Sequence, residues 1–208
     1  MAQPEALAFD MYGTLVDPIA ISERLEGYLA QQAQRVAPVW RQKQLEYTFR
    51  LTAMECYEDF EWLTRNSLDY ALAAAGRALE ADQKDALIDQ YNDLKRFPDI
   101  EPGLERLKEA GHTMVVFSNG TPHMLNALMD AAELRPYFQG VVSVDEVKAY
   151  KPSPRAYRHR RKAARAAFRG GAARLLEPVR RYRGGGSRDA RRVGRPLRWP
   201  LRHARFAP

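Results

Sequence analysis

The 208-residue chain is long enough for one medium-sized domain or for a core with an inserted second domain, and 45% of its residues are hydrophobic. Its single cysteine, Cys56, excludes an internal disulfide framework and is typical of a reducing compartment. No stretch approaches the ~20 apolar residues of a membrane helix. The first residues carry no signal-like pattern, so we expect a soluble cytoplasmic protein without membrane association.

The formal net charge of +7 would by itself favour a nucleic-acid partner. Residues 1–150, however, hold 14 basic and 24 acidic residues, a net charge of −10. Residues 151–208 hold 19 basic residues, 17 of them arginine, and only 2 acidic ones, a net charge of +17. Because these arginines form no helical stripe and are not interleaved with aromatic residues, binding of nucleic acid by this segment is only a weak alternative, and we expect no nucleic-acid partner.

The beginning of the chain predicts a buried strand over residues 5–9, followed at once by Asp10. Open α/β sheets bind ligands at the carboxyl ends of their strands, where this carboxylate would lie. Gly13 and Thr14 follow in a short loop, and the Thr14 hydroxyl could turn back toward the carboxylate. This spacing suits a nucleophilic aspartate, but at this point an aspartate that merely caps a turn fits equally well.

Residues from about 19 to 95 have helical patterns and no strand pattern. Apolar spacing predicts helices over residues 39–54 and 59–75. A third helix is predicted to start at Asp82 and to run through Leu94. The block therefore predicts a helical cap domain that is inserted after the first strand.

Alternating strands and helices return after residue 96. Residues 112–118 form the clearest strand pattern, ending at Ser118 and Asn119, and residues 140–144 predict a third strand. Lys151 then heads a proline-rich loop. We predict an α/β fold with a doubly wound, parallel, Rossmann-like core, whose strand-end loops meet at one edge. The predicted core comprises residues 1–18 and 96–157, the cap residues 19–95, and an aberrant arginine-rich tail residues 158–208.

An ordered set of polar residues follows the predicted strands: Asp10, Thr14, Ser118, Asn119 and Lys151. This set resembles the haloacid dehalogenase superfamily, and residues 10–17 resemble its L-2-haloacid dehalogenase branch; the resemblance covers about residues 4–157. Phosphatases of the superfamily carry a second aspartate two residues after the nucleophile. Here that position is Tyr12, which cannot exchange a proton near neutral pH. Magnesium-dependent phosphoryl transfer is therefore the weaker alternative.

The resemblance implies hydrolysis of short (S)-2-haloacids to (R)-2-hydroxyacids without a metal or another cofactor. Asp10 would attack the carbon that bears the halogen and displace halide with inversion, and water would then hydrolyse the resulting ester. Lys151 and Thr14 would orient the Asp10 carboxylate. Ser118, with the main-chain amides near Met11 and Tyr12, would hold the substrate carboxylate.

The same resemblance implies further roles. Arg41, in the predicted cap, matches the family arginine that accepts the departing halide, and Asn119 would assist it. Leu45, one helical turn further on, would line the pocket with Phe60 and Tyr12. Tyr157 matches a family tyrosine near the nucleophile. The histidines show no metal-ligand spacing. A homodimer is also compatible with the resemblance, because dimers are common in the similar family.

The family pattern ends after Tyr157. The expected Ser-x-Asn-x-x-Asp of a fourth strand, whose acid helps to activate the hydrolytic water, is replaced by residues 175–180 within an Arg/Gly/Pro/Ala-rich run. A basic tail without regular structure is one interpretation. Our hypothesis is that the reading frame slipped by one base near residues 158–161, because the shifted codons of residues 175–181 can encode Ser-Ser-Asn-Pro-Phe-Asp. Such a chain would lack the acid that helps to hydrolyse the ester.

Overall fold

A three-stranded parallel sheet forms the centre of the fold. The structure is a computed structural model and describes residues 6–167, with the backbone alone for residues 164–167. Its strands are β1 (Ala6–Phe9), β2 (Thr113–Ser118) and β3 (Val141–Ser143), in the order β1-β2-β3. Nearly all strand residues are buried, which explains why their sequences are continuously apolar rather than alternating. The predicted α/β fold with a parallel sheet is confirmed.

The register of the sheet brings the carboxyl ends of its strands to one edge. Phe9 of β1 lies opposite Val116 of β2, and Val116 lies opposite Val141 of β3. Asp10, the next residue after Phe9, is therefore level with Phe117. The predicted meeting of strand-end loops is a direct result of this register.

The segment between β1 and β2 is helical, as predicted. It contains α1 (Ile21–Leu29), α2 (Ala33–Ala53), α3 (Phe60–Ala74) and α4 (Ala81–Gln90), with a 3-10 turn over Ala30–Gln32. Asp59 caps α3 by accepting a hydrogen bond from the amide of Trp62. Packing between α2 and α3 buries Trp40, Leu63 and Leu68.

The predicted bounds of α4 were wrong at both ends. The helix begins at Ala81 rather than Asp82, because the Gln83 side chain accepts a hydrogen bond from the amide of Glu80 and fixes the start one residue earlier. It ends at Gln90 rather than near Leu94. The chain beyond it leaves the helix to pair with the loop after β1, where the amide of Asp17 donates to the Lys95 carbonyl at 3.1 Å.

Three further helices flank the strands of the core. They are α5 (Ile100–Glu109), α6 (Pro122–Ala131) and α7 (Pro154–Ala167), accompanied by 3-10 turns over Arg135–Tyr137 and Val144–Val147. The predicted tail begins inside α7, at residue 158. Residues 168–208, which include the replaced motif at 175–180, lie outside the described residues. Within residues 6–167, no helix is long and apolar enough to cross a membrane.

Candidate active site

The loop after β1 presents Asp10 at the edge of the sheet. Gly13 has a φ of +82°, a conformation that favours glycine, and its amide donates to the Val16 carbonyl at 2.8 Å. The amides of Leu15 and Val16 both donate to the Met11 carbonyl. This tight loop leaves the Asp10 side chain 42% exposed, although its Oδ1 accepts a hydrogen bond from the Met11 amide at 2.8 Å. The carboxylate is therefore accessible to a small molecule.

Lys151 forms an ion pair with Asp10. Its Nζ lies 2.8 Å from Asp10 Oδ1 and donates to the Phe117 carbonyl at 3.0 Å, and its side chain is only 13% exposed. The Lys151 amide donates to Asn119 Oδ1 at 2.9 Å. The ammonium group reaches both acceptors because the sheet register places Phe117 level with Asp10. The lysine side of the pair is thus shielded from water, whereas the Asp10 carboxylate remains 42% exposed.

The turn after β2 packs tightly against Tyr12 of the loop after β1. The Ser118 hydroxyl is buried and accepts a hydrogen bond from the Gly120 amide at 3.4 Å, while the Ser143 hydroxyl donates to the Gly120 carbonyl at 2.6 Å. A Cβ at Gly120 would lie 2.9 Å from Leu125 Cδ2 and 3.1 Å from Tyr12 Cε2. A side chain at this position would force Leu125 and Tyr12 to move, so glycine suits this close approach.

Arg41 reaches the same edge from helix α2. Its Nη2 donates to the main-chain carbonyl of Tyr12 at 3.2 Å, and its Nη1 donates to Gln44 Oε1 at 3.2 Å. The guanidinium therefore binds the loop at Tyr12, two residues after Asp10, from the side of the helical insertion. Two cations therefore contact the loop after β1: Lys151 from the loop after β3 and Arg41 from α2.

An aromatic cluster surrounds Tyr12 in the loop after β1. The ring of Tyr12 lies 5.2 Å from that of Phe60 and 5.7 Å from that of Tyr91. Burial raises the pKa of Tyr12 well above its ordinary value, with further increases from Tyr91 and Asp10 and an opposing effect of Arg41. Tyr12 therefore stays protonated near neutral pH and cannot replace a proton-shuttling carboxylate.

The remaining predicted site residues occupy less central positions. The amide of Thr14 donates to the Met11 carbonyl at 3.3 Å, which places this residue inside the loop. The ring of Tyr157 lies 5.6 Å from that of Phe117, and Lys151 Nζ lies 5.0 Å from the same Phe117 ring. Leu45 is 40% exposed on α2, and its neighbour Gln44 accepts a hydrogen bond from Arg41.

Sequence patterns missed a set of contacts that joins the helical insertion to the segment before Lys151. The Tyr150 hydroxyl donates to the Glu58 carbonyl at 2.7 Å, and the Tyr150 amide donates to Thr52 Oγ1 at 3.2 Å. The Tyr57 hydroxyl donates to Asp145 Oδ1 at 2.7 Å, and the Tyr57 and Tyr150 rings lie 5.1 Å apart. We call these contacts the clasp. The position of Tyr150 beside Lys151 was the only signal for it in the sequence.

The positions of Asp10, Lys151 and Arg41 indicate what kind of chemistry the site suits. An accessible carboxylate at a strand end, paired with a lysine and faced by an arginine from an inserted helical layer, is suited to covalent attack on a small anionic molecule. Among residues 6–167, no group of three or more His, Cys, Asp or Glu side chains is arranged to hold a metal ion. An arrangement of this kind is typical of α/β enzymes that use a carboxylate nucleophile.

Comparisons with known proteins agree with this class. The model of the haloacid dehalogenase-like hydrolase family matches residues 4–169. (S)-2-haloacid dehalogenase 1 of Pseudomonas sp. strain CBS-3 is 40% identical over 152 residues, which are 73% of this chain and 67% of that protein. (S)-2-haloacid dehalogenase 4A of Burkholderia cepacia is 38% identical and is matched over 66% of its length. The matches thus span about two thirds of these curated relatives.

A solved structure extends the similarity to three dimensions. The L-2-haloacid dehalogenase of Xanthobacter autotrophicus with chloropropionic acid covalently bound superposes with a TM-score of 0.75 at 32% identity, covering 84% of this chain and 69% of that chain. The chain belongs to the haloacid dehalogenase-like hydrolases, in the L-2-haloacid dehalogenase branch. The family and branch predicted from the motifs are confirmed.

The clasp predicts a pH-dependent contribution to stability. Burial acts to raise the pKa of Asp145, but hydrogen bonds from Lys148 and Tyr57 outweigh it and lower that pKa below its ordinary value. A carboxylate with a lowered folded-state pKa stabilises the protein above its ordinary pKa of about 4, and this contribution is lost as the pH falls through the lowered value. We expect Tyr57→Phe to reduce the free energy of unfolding by about 1–2 kcal/mol at pH 7.

The difference between Tyr57→Phe and the parent chain should shrink below about pH 4. Urea unfolding at a series of pH values measures it. Tyr28→Phe, which removes a phenol hydroxyl from α1, is the matched control and should leave the pH dependence unchanged. A Tyr57→Phe deficit that persists undiminished in acid would contradict a role of the Asp145 carboxylate.

Proposed function

We propose that this chain cleaves the carbon–halogen bond of short (S)-2-haloacids and yields (R)-2-hydroxyacids through an ester on Asp10. The observation that carries the proposal is the ion pair between Asp10 Oδ1 and Lys151 Nζ at 2.8 Å, in a site that Arg41 also faces. The named activities of the similar proteins, (S)-2-haloacid dehalogenases, agree with it.

The proposed first step is a displacement at the carbon that bears the halogen. An Asp10 carboxylate oxygen forms a bond to this carbon from the face opposite the halogen, and the carbon–halogen electron pair leaves with halide. In the second step, water adds to the ester carbonyl of Asp10, and the hydroxyacid departs with the oxygen that Asp10 supplied. Only the first step touches the asymmetric carbon, so the configuration inverts once.

Both cations are needed because the reactants repel each other. Asp10 and the haloacid carboxylate are both anionic, and two unit charges about 4 Å apart interact by about 4 kcal/mol at an effective dielectric constant of about 20. Lys151, only 13% exposed, offsets the charge of Asp10. The substrate carboxylate would be held by main-chain amides of the nucleophile loop with Ser118.

Departing halide needs a cation on the far side of the reacting carbon. Arg41 is suited to this role because its guanidinium is permanently charged and is anchored to the Tyr12 carbonyl at 3.2 Å. The Asn119 side-chain oxygen accepts from the Lys151 amide, so its Nδ2 group would be the part that assists Arg41 in binding halide. Phe60 and Tyr12 would supply an apolar wall that excludes water from the displacement, with Leu45 at its outer margin. Thr14 and Tyr157 would act on the orientation of Asp10 and Lys151.

Phosphoester hydrolysis is the second candidate, and Tyr12 argues against it. The position where superfamily phosphatases have a proton-shuttling aspartate is filled by a buried phenol whose pKa is raised by burial. Magnesium-dependent release of phosphate from a small phosphoester, without halide release from 2-haloacids, would select this alternative.

The displacement step can be tested with (S)-2-chloropropionate. We expect halide release together with one 1-carboxyethyl group on the peptide that contains Asp10, detected by ion chromatography and mass spectrometry of the quenched protein. Asp10→Asn removes the nucleophile and should reduce halide release by at least about 10³-fold.

Asp17→Asn, in the same loop, is the matched control. The asparagine keeps the side-chain oxygen that accepts from the Ile19 amide, so halide release should remain close to that of the parent chain. Undiminished halide release by Asp10→Asn would overturn the proposed function.

We also propose that the sequence from about residue 158 onward results from a slipped reading frame, so that the acid that helps to hydrolyse the ester is missing. The proposal is supported by the composition of residues 151–208 and by the codons available at residues 175–181. About a quarter of this chain lies outside the matches to its curated relatives. The alternative, a basic segment that binds nucleic acid, predicts salt-sensitive DNA affinity that disappears when residues 158–208 are removed.

Frame restoration tests this proposal. The present chain should release about one halide per protein molecule and then stop, because its ester persists, whereas the frame-restored chain should turn over repeatedly. Stopped-flow halide release monitored over many turnovers distinguishes the two. Equal steady-state rates for both chains, or a gene whose codons cannot spell the motif, would contradict the slipped frame.

A homodimer is a further proposal. Among the described residues, large apolar side chains are exposed at Leu45, Phe49, Met54, Trp62 and Tyr70. Four of these lie on α2 and α3, which pack against each other, so a second copy could bury them about a two-fold axis.

A charge introduced at Phe49 tests the dimer. Phe49→Glu should shift the mass measured by light scattering from dimer to monomer, because an unpaired charge would be buried at the interface. Gln139→Glu adds the same charge at an exposed position of the α/β domain, outside the helical insertion, and should leave the mass unchanged. A parent chain that is monomeric at all concentrations would refute the proposal.

A further inference from the structure

Gln44 is a polar side chain in the apolar interior of the helical insertion. It lies on α2 and is 0% exposed, beside the buried indole of Trp40. Its Oε1 accepts from the Tyr91 hydroxyl at 2.7 Å and from Arg41 Nη1 at 3.2 Å, and its Nε2 donates to Thr64 Oγ1 at 2.9 Å. A buried side-chain amide without hydrogen-bond partners would destabilise the fold, so these hydrogen bonds are what allow a glutamine at this position.

The network leaves only one orientation for the amide. The Thr64 hydroxyl uses its proton on the Phe60 carbonyl at 2.6 Å, so it can only accept from Gln44. Arg41 can only donate. Burial raises the pKa of Tyr91, so its phenol keeps its proton at neutral pH and donates. The oxygen of Gln44 is therefore fixed toward Arg41, and its nitrogen toward Thr64.

Arg41 is held by this oxygen on one side and by the active-site loop on the other. Its Nη1 binds Gln44 Oε1, while its Nη2 binds the Tyr12 carbonyl two residues from Asp10. An arginine on a helix otherwise loses considerable side-chain entropy when it adopts a single rotamer. Two acceptors in a fixed geometry make that rotamer available before substrate arrives.

An amide suits this role better than a carboxylate. A glutamate at position 44 would also accept from Arg41, but its charge would offset the charge of the guanidinium that attracts an anion. A neutral acceptor orients the guanidinium and leaves its charge available to halide.

We propose that Gln44, oriented by Tyr91 and Thr64, is a positioning residue that holds the Arg41 guanidinium ready for the departing halide. The inference rests on the proposed function, since it assigns a partner to the residue that receives the halide. Gln44 would touch neither the substrate nor the reacting atoms.

The test measures single-turnover formation of the Asp10 ester, by quenched-flow mass spectrometry, with (S)-2-chloropropionate and (S)-2-bromopropionate. Gln44→Met keeps a similar volume but removes the acceptor. It should slow ester formation at saturating chloropropionate by about tenfold. The substrate concentration for half-maximal rate should change much less. The rate of ester formation with bromopropionate should fall by a smaller factor, because bromide is a better leaving group than chloride and needs less stabilisation.

Two further variants separate positioning from folding. Tyr91→Phe removes one donor to Oε1 with little change in shape and should slow ester formation in the same direction by a smaller factor. Gln44→Glu should retain the folded structure but slow ester formation with chloropropionate, because its charge offsets Arg41. Gln34→Met, at an exposed position of the same helix, is the matched control and should leave the rate unchanged.

A double-mutant cycle with Arg41→Ala provides the decisive readout. If Gln44 acts through Arg41, Gln44→Met should cause no further slowing in the Arg41→Ala background. Equal slowing in both backgrounds, or an unchanged rate in Gln44→Met alone, would overturn the inference while leaving the proposed function intact. Absence of any ester in the parent chain would instead refute the proposed function and the inference with it.

Discussion

The ion pair between Asp10 and Lys151 is the constraint on which the rest of the site depends. It joins three separate segments: the loop after β1 supplies the carboxylate, β2 supplies the Phe117 carbonyl, and the loop after β3 supplies the lysine. Only a parallel sheet in this register brings the three ends within hydrogen-bonding distance. Because the lysine side chain is only 13% exposed, it cannot easily exchange its partner for solvent, whereas the carboxylate remains open to a small molecule.

The helical insertion contributes to the electrostatics as much as to the shape of the site. Arg41 reaches the loop after β1 through the Tyr12 carbonyl, while the clasp fixes Tyr150, the residue before Lys151, against Thr52 and Glu58. Both cations are therefore positioned by contacts between the insertion and the core. A displacement of the insertion would disturb Arg41 directly and Lys151 through the neighbouring tyrosine.

Local patterns were sufficient for the fold and for the residues at strand ends. Apolar runs identified the strands, and the parallel arrangement then placed Asp10 and Lys151 at one edge without knowledge of any distance. Gln44 was missed because helical spacing cannot distinguish a buried glutamine from a solvated one, and its partner Tyr91 is 47 positions away in sequence. The end of α4 was mispredicted for a similar reason, because pairing of Asp17 with Lys95 outweighs local helix propensity.

The charges of the site remain balanced through the proposed displacement, but hydrolysis of the ester makes a different demand. Before reaction, Lys151 and Arg41 face two anions, the Asp10 carboxylate and the haloacid carboxylate. After it, they face the substrate carboxylate and halide, while Asp10 is a neutral ester. Neither cation can then act as a base toward water, and burial raises the pKa of Tyr12 so that it remains a neutral phenol. The Asp10 carboxylate itself would be the best base in this group, but it has been converted to the ester. Formation and hydrolysis of the ester therefore place separate demands on the protein, and among the described residues these neighbours of Asp10 are suited to forming the ester but not to activating water.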